Sequence, residues 1–222
     1  MKEKSKKILL WIADFLVNLI VIFILVMILQ KWIVAPFDVY GPSMCNTLNF
    51  LDKKCSNEYG EKIILNEAVY LFGKPERGDI VVFKPTKDSD KYFIKRVIGL
   101  PNETVTLKDG RVYITDKDGK TFELEEEYLN DRNRNHTDPF WVDLDTFEIP
   151  EGHYFMMGDN RAESTDSRSC FSSTISSECK KNRDKTVVKE EDIRGKAIVV
   201  WWPFSSMRIL HHPEYSESLA EK

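Results

Sequence analysis

TVTLKDGRVYI, from Thr104 to Ile114, carries the pattern that decides the fold. β-Branched and apolar residues alternate with polar ones on both sides of Asp109-Gly110. Asp-Gly accepts the positive φ angles that a two-residue hairpin turn requires, so the segment predicts two antiparallel strands. Asp118-Gly119 marks a second hairpin just downstream. The same character extends outward in DIVVF (Asp79 to Phe83), YFIKRVIGL (Tyr92 to Leu100), HYFMM (His153 to Met157) and GKAIVVWWPF (Gly195 to Phe204). Beyond the N-terminal segment no stretch has the period of a long amphipathic helix. The expected fold is mainly β, with long loops. Lys117 to Asp138, which includes Glu125-Glu126-Glu127, and Ser169 to Lys189 read as solvated surface insertions without a site. Trp201-Trp202-Pro203-Phe204 reads as core rather than as a surface dipping into lipid.

The N-terminus is different. From Ile8 to Leu29 the chain is almost wholly apolar, about 33 Å long as a helix and enough to cross a bilayer core. The run is too long for a cleavable signal peptide's apolar region, and no small-x-small cleavage site follows it. Gln30, Lys31 and Trp32 read as an interface. Asp14 and Asn18 interrupt the run four residues apart and share one helix face, which leaves open a pairing face for another membrane helix. Four lysines lie between Met1 and Lys7. The positive-inside rule keeps them in the cytoplasm, so residues from about Ala35 lie outside. The expected division is a basic cytoplasmic tail (1–7), a transmembrane helix (8–34) and an extracytoplasmic β domain (35–222).

A net charge of −4 over 222 residues argues against a nucleic-acid partner, and 42% hydrophobic residues suffice for a packed core. Cys45, Cys55, Cys170 and Cys179 form two local pairs without CxxC spacing or a nearby histidine. Two local disulfides fit an oxidising compartment better than a metal site or four free thiols, although four cysteines allow three connectivities.

Conventional catalysts are scarce. His136, His153, His211 and His212 are the only histidines, and there is no GxSxG, HExxH, Walker or GxGxxG motif. Gly41-Pro42-Ser43-Met44 lies about ten residues past the apolar run, and its glycine and proline fix a tight turn before a serine. On its own it is a weak signal. In Tyr92 to Gly99, alternation puts Phe93, Lys95 and Val97 on one face and Tyr92, Ile94, Arg96 and Ile98 on the other. A lysine among apolar neighbours loses affinity for its proton, and the neutral amine can serve as a general base for serine. GDNRAESTDSR, Gly158 to Arg168, is dense in hydrogen-bonding groups. In it Ser164 is suited to hold the lysine, and Asp166 to pair with Arg161 or Arg168.

In this order the segments resemble the bacterial type I signal peptidases of peptidase family S26, in their single-anchor form, over nearly the whole chain. The resemblance rests on GPSMCNTL (Gly41 to Leu48), RGDIVVF (Arg77 to Phe83), YFIKRVIGLPNE (Tyr92 to Glu103), GDNRAESTDSR and GKAIVVWWPF. It implies Ser43 as nucleophile, Lys95 as general base, Ser164 as the serine that orients the lysine, and Asp166 with Arg168 as a supporting salt bridge. It also implies the Ser43 amide as an oxyanion donor. The position that holds a second donor serine in some relatives is Gly41 here. Asn46 stands where relatives usually have proline, and a Cys45–Cys55 tie would replace the lost rigidity.

The implied substrates are secreted preproteins cleaved after small residues in an A-x-A pattern, without metal or cofactor. The substrate strand is expected along Asp38-Val39-Tyr40 and Ile80-Val81-Val82, with Val39, Ile80 and Val81 as contacts. Three rivals are weaker. A self-cleaving repressor is opposed by the apolar span and the lack of a helix-turn-helix. Lys95 opposes the eukaryote-like type that uses histidine. A catalytically dead anchor or chaperone is opposed by the presence of both Ser43 and Lys95.

Overall fold

The computed structural model describes residues 2–32, 34–45, 47–86, 89–140, 144–172, 179, 181–213 and 215. Asn46 therefore lies outside the described residues. Helix α1 (Lys2–Trp32) contains a 22-residue stretch, Lys6–Met27, long and apolar enough to cross a membrane. Along it Asn18 turns its amide back to the Asp14 carbonyl at 2.9 Å, which satisfies that polar group within the helix. The helix stops two residues before the expected boundary, and Val34 already belongs to a strand.

All strands pair antiparallel. The main sheet comprises β1 (Val34–Tyr40), β4 (Tyr59–Asn66), β5 (Ile80–Phe83), β6 (Phe93–Gly99), β11 (His153–Met157), β12 (Val188–Lys189) and β13 (Ile193–Trp202), with β14 (Arg208–Ile209) paired to β13. Its spatial order is β1-β4-β13-β5-β6-β11-β12. A second sheet, ordered β10-β7-β8-β9, contains β7 (Thr104–Lys108), β8 (Arg111–Thr115), β9 (Thr121–Glu123) and β10 (Thr146–Glu148). A two-stranded ribbon joins β2 (Phe50–Leu51) to β3 (Lys54–Cys55), and one short helix, α2 (Val69–Phe72), follows β4. The mainly β expectation holds.

Both hairpins form where Asp-Gly predicts them. Asp109 and Gly110 have φ of 52° and 74° between β7 and β8, the left-handed pair that matches strand twist. Gly119, with φ of 81°, turns β8 into β9.

Three apolar clusters follow from strand alternation. Val39, Met44, Leu48, Ile63, Leu65, Ile80 and Val82 share one side of the main sheet. Val81, Phe83, Val97, Tyr154, Met156 and Phe171 share the other. Ile98, Phe155 and Met157 join the second sheet to the first. Each buried aliphatic side chain contributes roughly 1.5–3 kcal/mol, so these clusters fix the strand register.

Strand β4 lacks a clear alternating apolar signature because Glu61 occupies an inward position beside Ile63 and Leu65. Glu61 is buried and tolerated there because Arg208 forms a bidentate pair with it at 2.7 and 2.9 Å.

The expectation that Trp201 to Phe204 is core is corrected. Trp201 is half-buried, but Trp202 is 41% and Phe204 67% exposed, next to exposed Met207 and Ile209. β13 ends at Trp202, and the chain leaves the sheet over residues 203–207 before β14 rejoins it. The insertion reading is also corrected in part. Asn133 and Thr137 are buried, and Glu126 ion-pairs with buried Arg161. Both disulfides are local, Cys45–Cys55 and Cys170–Cys179.

Candidate active site

The turn carrying Ser43 begins where β1 ends. Gly41 takes φ of +80°, a region L side chains rarely adopt, and Pro42 fixes the next residue. The Cys45 N–H closes the turn onto the Pro42 carbonyl at 2.9 Å. Opposite it stands β6. Lys95 is buried, and its Nζ lies 2.6 Å from Ser43 Oγ and 2.9 Å from the Ile94 carbonyl. Two residues 52 positions apart in the chain thus share one hydrogen bond.

Burial drives the Lys95 pKa down from 10.5 to about 8. The negative charges of Asp166 and Asp159 oppose the shift, and Arg168 reinforces it. The Phe93 ring, with its centroid 5.6 Å from Nζ, forms part of the apolar surroundings. A substantial fraction of neutral amine is therefore present at mildly alkaline pH, with a hydroxyl in reach.

The loop from Gly158 to Arg168 holds this pair in place. The Asn160 N–H donates to the Ser43 carbonyl at 3.0 Å, and its Nδ2 donates to the Pro42 carbonyl at 3.1 Å. Gly158 must lack a side chain, because a Cβ there would lie 2.3 Å from both the Ser43 carbonyl oxygen and Ser164 Oγ. Asp159 accepts two hydrogen bonds from buried Arg96, at 2.9 and 2.6 Å, and a third from Thr47 Oγ1 at 2.5 Å. Thr47 follows Ser43 by four residues, so this carboxylate ties the Ser43 loop to β6. Burial lowers the proton affinity of Arg96, but paired Asp159 outweighs it and keeps the guanidinium charged.

Asp166 and Arg168 form a buried bidentate pair, both bonds 2.9 Å. Burial pushes the Asp166 carboxyl up, but Arg168 and the Gly158 N–H outweigh it and hold it below the usual range. Arg161 does not compete for Asp166; its partner is Glu126. Ser164 is buried beside the cleft, and its hydroxyl makes no hydrogen bond to Lys95 here. That hydroxyl has no hydrogen-bond partner among the described residues.

A cleft of about 1000 Å³ opens at Ser43 and Lys95, with Val39 and Tyr40 on one wall and Phe93 and Ile94 on another. The sequence reading of its edges is corrected. Val39 and Val82 line it, but Ile80 and Val81 do not. β5 lies between β13 and β6, with Val81 paired to Lys196 on one side and to Lys95 on the other, so it has no edge to offer. Among the described residues, the free edges at the cleft are β1 and the start of β6. β11 pairs with β6 only from Arg96 onward, which leaves Phe93 and Ile94 without a neighbour on that side among the described residues.

Among the residues missed by the sequence reading, Asp159 and Asn160 lay inside the quoted motif without assigned roles. Tyr128, whose ring lies 3.9 Å from the Arg96 guanidinium, gave no local signal.

Residues 12–202 match the model of the family described as signal peptidase, peptidase S26. The chain belongs to the signal peptidase family. A Signal peptidase IB of Staphylococcus aureus (strain COL) is 30% identical over 220 residues, which cover 93% of this chain and 98% of the relative. A Signal peptidase I of Pseudomonas fluorescens is 31% identical over 218 residues, 86% of this chain and 73% of the relative. A solved signal peptidase I from Enterococcus faecalis V583 is 31% identical and covers 56% of this chain and 97% of its own, with a TM-score of 0.38. Membership makes this signal peptidase a serine endopeptidase that removes signal peptides from preproteins.

Proposed function

We propose that this signal peptidase is anchored in a membrane by α1 and cleaves preproteins after small residues, with Ser43 as nucleophile and Lys95 as general base. The observation that carries the reading is the 2.6 Å contact between Ser43 Oγ and a buried Lys95 Nζ. Neutral Lys95 accepts the Ser43 proton as Oγ bonds to the scissile carbonyl carbon. The resulting oxyanion faces the Ser43 N–H, which has no acceptor among the described residues. Protonated Lys95 then gives its proton to the departing amine, which is the new N-terminus of the mature protein. The signal peptide is left as an ester on Ser43. A water molecule deprotonated by Lys95 attacks that ester, and the proton returns to Ser43 as the signal-peptide carboxylate departs.

The substrate enters as an extended strand between the free edge of β1 and the unpaired start of β6, with backbone pairing on both sides. The lysine-rich tail (1–7) stays in the cytoplasm, the bilayer holds α1, and residues from about Ala35 work on the outer face. β1 opens at Val34, two positions beyond Trp32, and Ser43 follows the strand's end by three residues. The nucleophile is therefore tethered by one short strand to the place where a signal helix leaves the bilayer. Asp166 and Arg168 hold the loop that lies over Lys95.

The test is a pH profile. With a purified preprotein substrate, log kcat/KM is expected to rise with unit slope at acid pH and level off near pH 8, where Lys95 loses its proton. A break near pH 6 to 7 would instead point to a histidine and contradict the assignment.

A further inference from the structure

Between β1 and β4 the register slips. Asp38 faces Lys62, but Tyr40 faces Tyr59, so two steps on β1 oppose three on β4. Such a bulge leaves ladder groups without partners, and buried backbone groups need them. The Gly41 N–H still reaches the Glu58 carbonyl at 3.1 Å, and a single side chain adds the other contacts. Asn49 is fully buried, and the two hydrogens of its Nδ2 are shared among the carbonyls of Val39, Gly41 and Glu58 at 3.3, 3.1 and 3.1 Å. Its Oδ1 accepts the Glu61 N–H at 2.7 Å. The carboxamide takes the place of a missing rung.

Three details show that the site is built around this amide. Asn49 has φ of 60°, which asparagine accepts better than most residues. Gly60 has no side chain, and a Cβ there would lie 2.5 Å from Asn49 Oδ1. The Asn49 N–H donates to the Glu61 carboxylate at 2.9 Å, and the same carboxylate holds Arg208, which donates to the Thr47 carbonyl at 2.5 Å. The Asn49 amide thus holds the Gly41 end of this loop, and Glu61 with Arg208 holds the Thr47 and Asn49 end.

We infer that Asn49 is a positioning residue for the nucleophile: its amide sets where the turn bearing Ser43 leaves the sheet and where the Val39 wall of the cleft ends. The inference rests on the reading of Ser43 as nucleophile. Aspartate cannot substitute, because a carboxylate has no donor for three carbonyls. Glycine keeps the backbone conformation but deletes the amide.

The test uses the full-length enzyme with a preprotein substrate, below the melting temperature of every variant. Asn49→Gly and Asn49→Asp are expected to lower kcat about 100-fold, the effect of a displacement near 1 Å at a reacting group. KM should change far less, and the pH break near 8 should stay, because the surroundings of Lys95 are untouched. A role in stability alone would lower the melting temperature and leave kcat intact. If either Asn49 variant is folded with kcat within threefold of wild type, the inference fails. Should both fail to fold, Gly60→Ala displaces the amide while keeping every polar group. A kcat loss of tenfold or more supports the inference, and a smaller loss overturns it. Inactive Ser43→Ala beside fully active Asn49→Gly would discard Asn49 while leaving the nucleophile assignment standing.

Discussion

Lys95→Met is expected to reduce turnover by about 10⁴-fold or more and, at the same time, to make the folded β domain more stable at pH 7. The loss follows because Ser43 would have no proton acceptor, and members of a catalytic unit fail together rather than additively. The gain follows from linkage. The folded protein holds the Lys95 proton with a pKa of about 8 against the ordinary 10.5. Between those values the unfolded chain binds more protons, so stability rises with pH across that window. Below about pH 8 the lysine is protonated in both states and the full burial cost is present. Methionine removes that cost and keeps most of the volume. After loss of the Ser43 and Ile94 hydrogen bonds, the net gain is on the order of 2 kcal/mol. Urea unfolding at pH 7 and at pH 10.5 checks it: the difference between variant and wild type should shrink at the higher pH. A variant less stable than wild type at pH 7 would show that Lys95 is not held at a cost.

Asp159→Ala is expected to be the most destabilising single change near the site, by about 3–5 kcal/mol. Arg96 and Asp159 are each about 2% exposed, so truncation strands a guanidinium inside the protein. The Thr47 hydroxyl loses its acceptor as well, which frees the nucleophile loop. Activity should fall even at temperatures where the variant is folded. Asp159→Asn keeps an acceptor for both partners and should lose less. Unfolding midpoints of the two variants beside wild type check the ranking.

Much of the molecule was legible in its sequence, for local reasons. Asp109-Gly110 and Asp118-Gly119 mark turns because their backbone needs are encoded in two adjacent residues. The length of the apolar run announces α1. Alternation placed Lys95 with Phe93 and Val97, and Phe93 does lie beside its Nζ. What escaped depends on partners distant in the chain. β4 hid behind Glu61, an inward charge that makes sense only with Arg208, 147 residues away. Ile80 and Val81 read as a strand edge because a period of two identifies strands but not their neighbours; β13 and β6 flank them. Glu126 sat within an acidic run that looked solvated until buried Arg161 supplied its partner. Trp202 and Phe204 looked like core because composition says nothing about where a strand leaves its sheet. Asn49 gave no motif at all, since its importance lies in a register slip between two other strands.

On the proposed mechanism Ser43, activated by Lys95, becomes covalently bonded to the signal peptide. The most direct measurement is acid quenching of the full-length enzyme during turnover of a preprotein with an A-x-A site, followed by proteolysis and mass spectrometry. The expected product is a peptide containing Ser43 esterified to the C-terminal residue of the signal peptide, absent from Ser43→Ala and from Lys95→Met. An ester on another residue, or undiminished cleavage by Ser43→Ala, would contradict it.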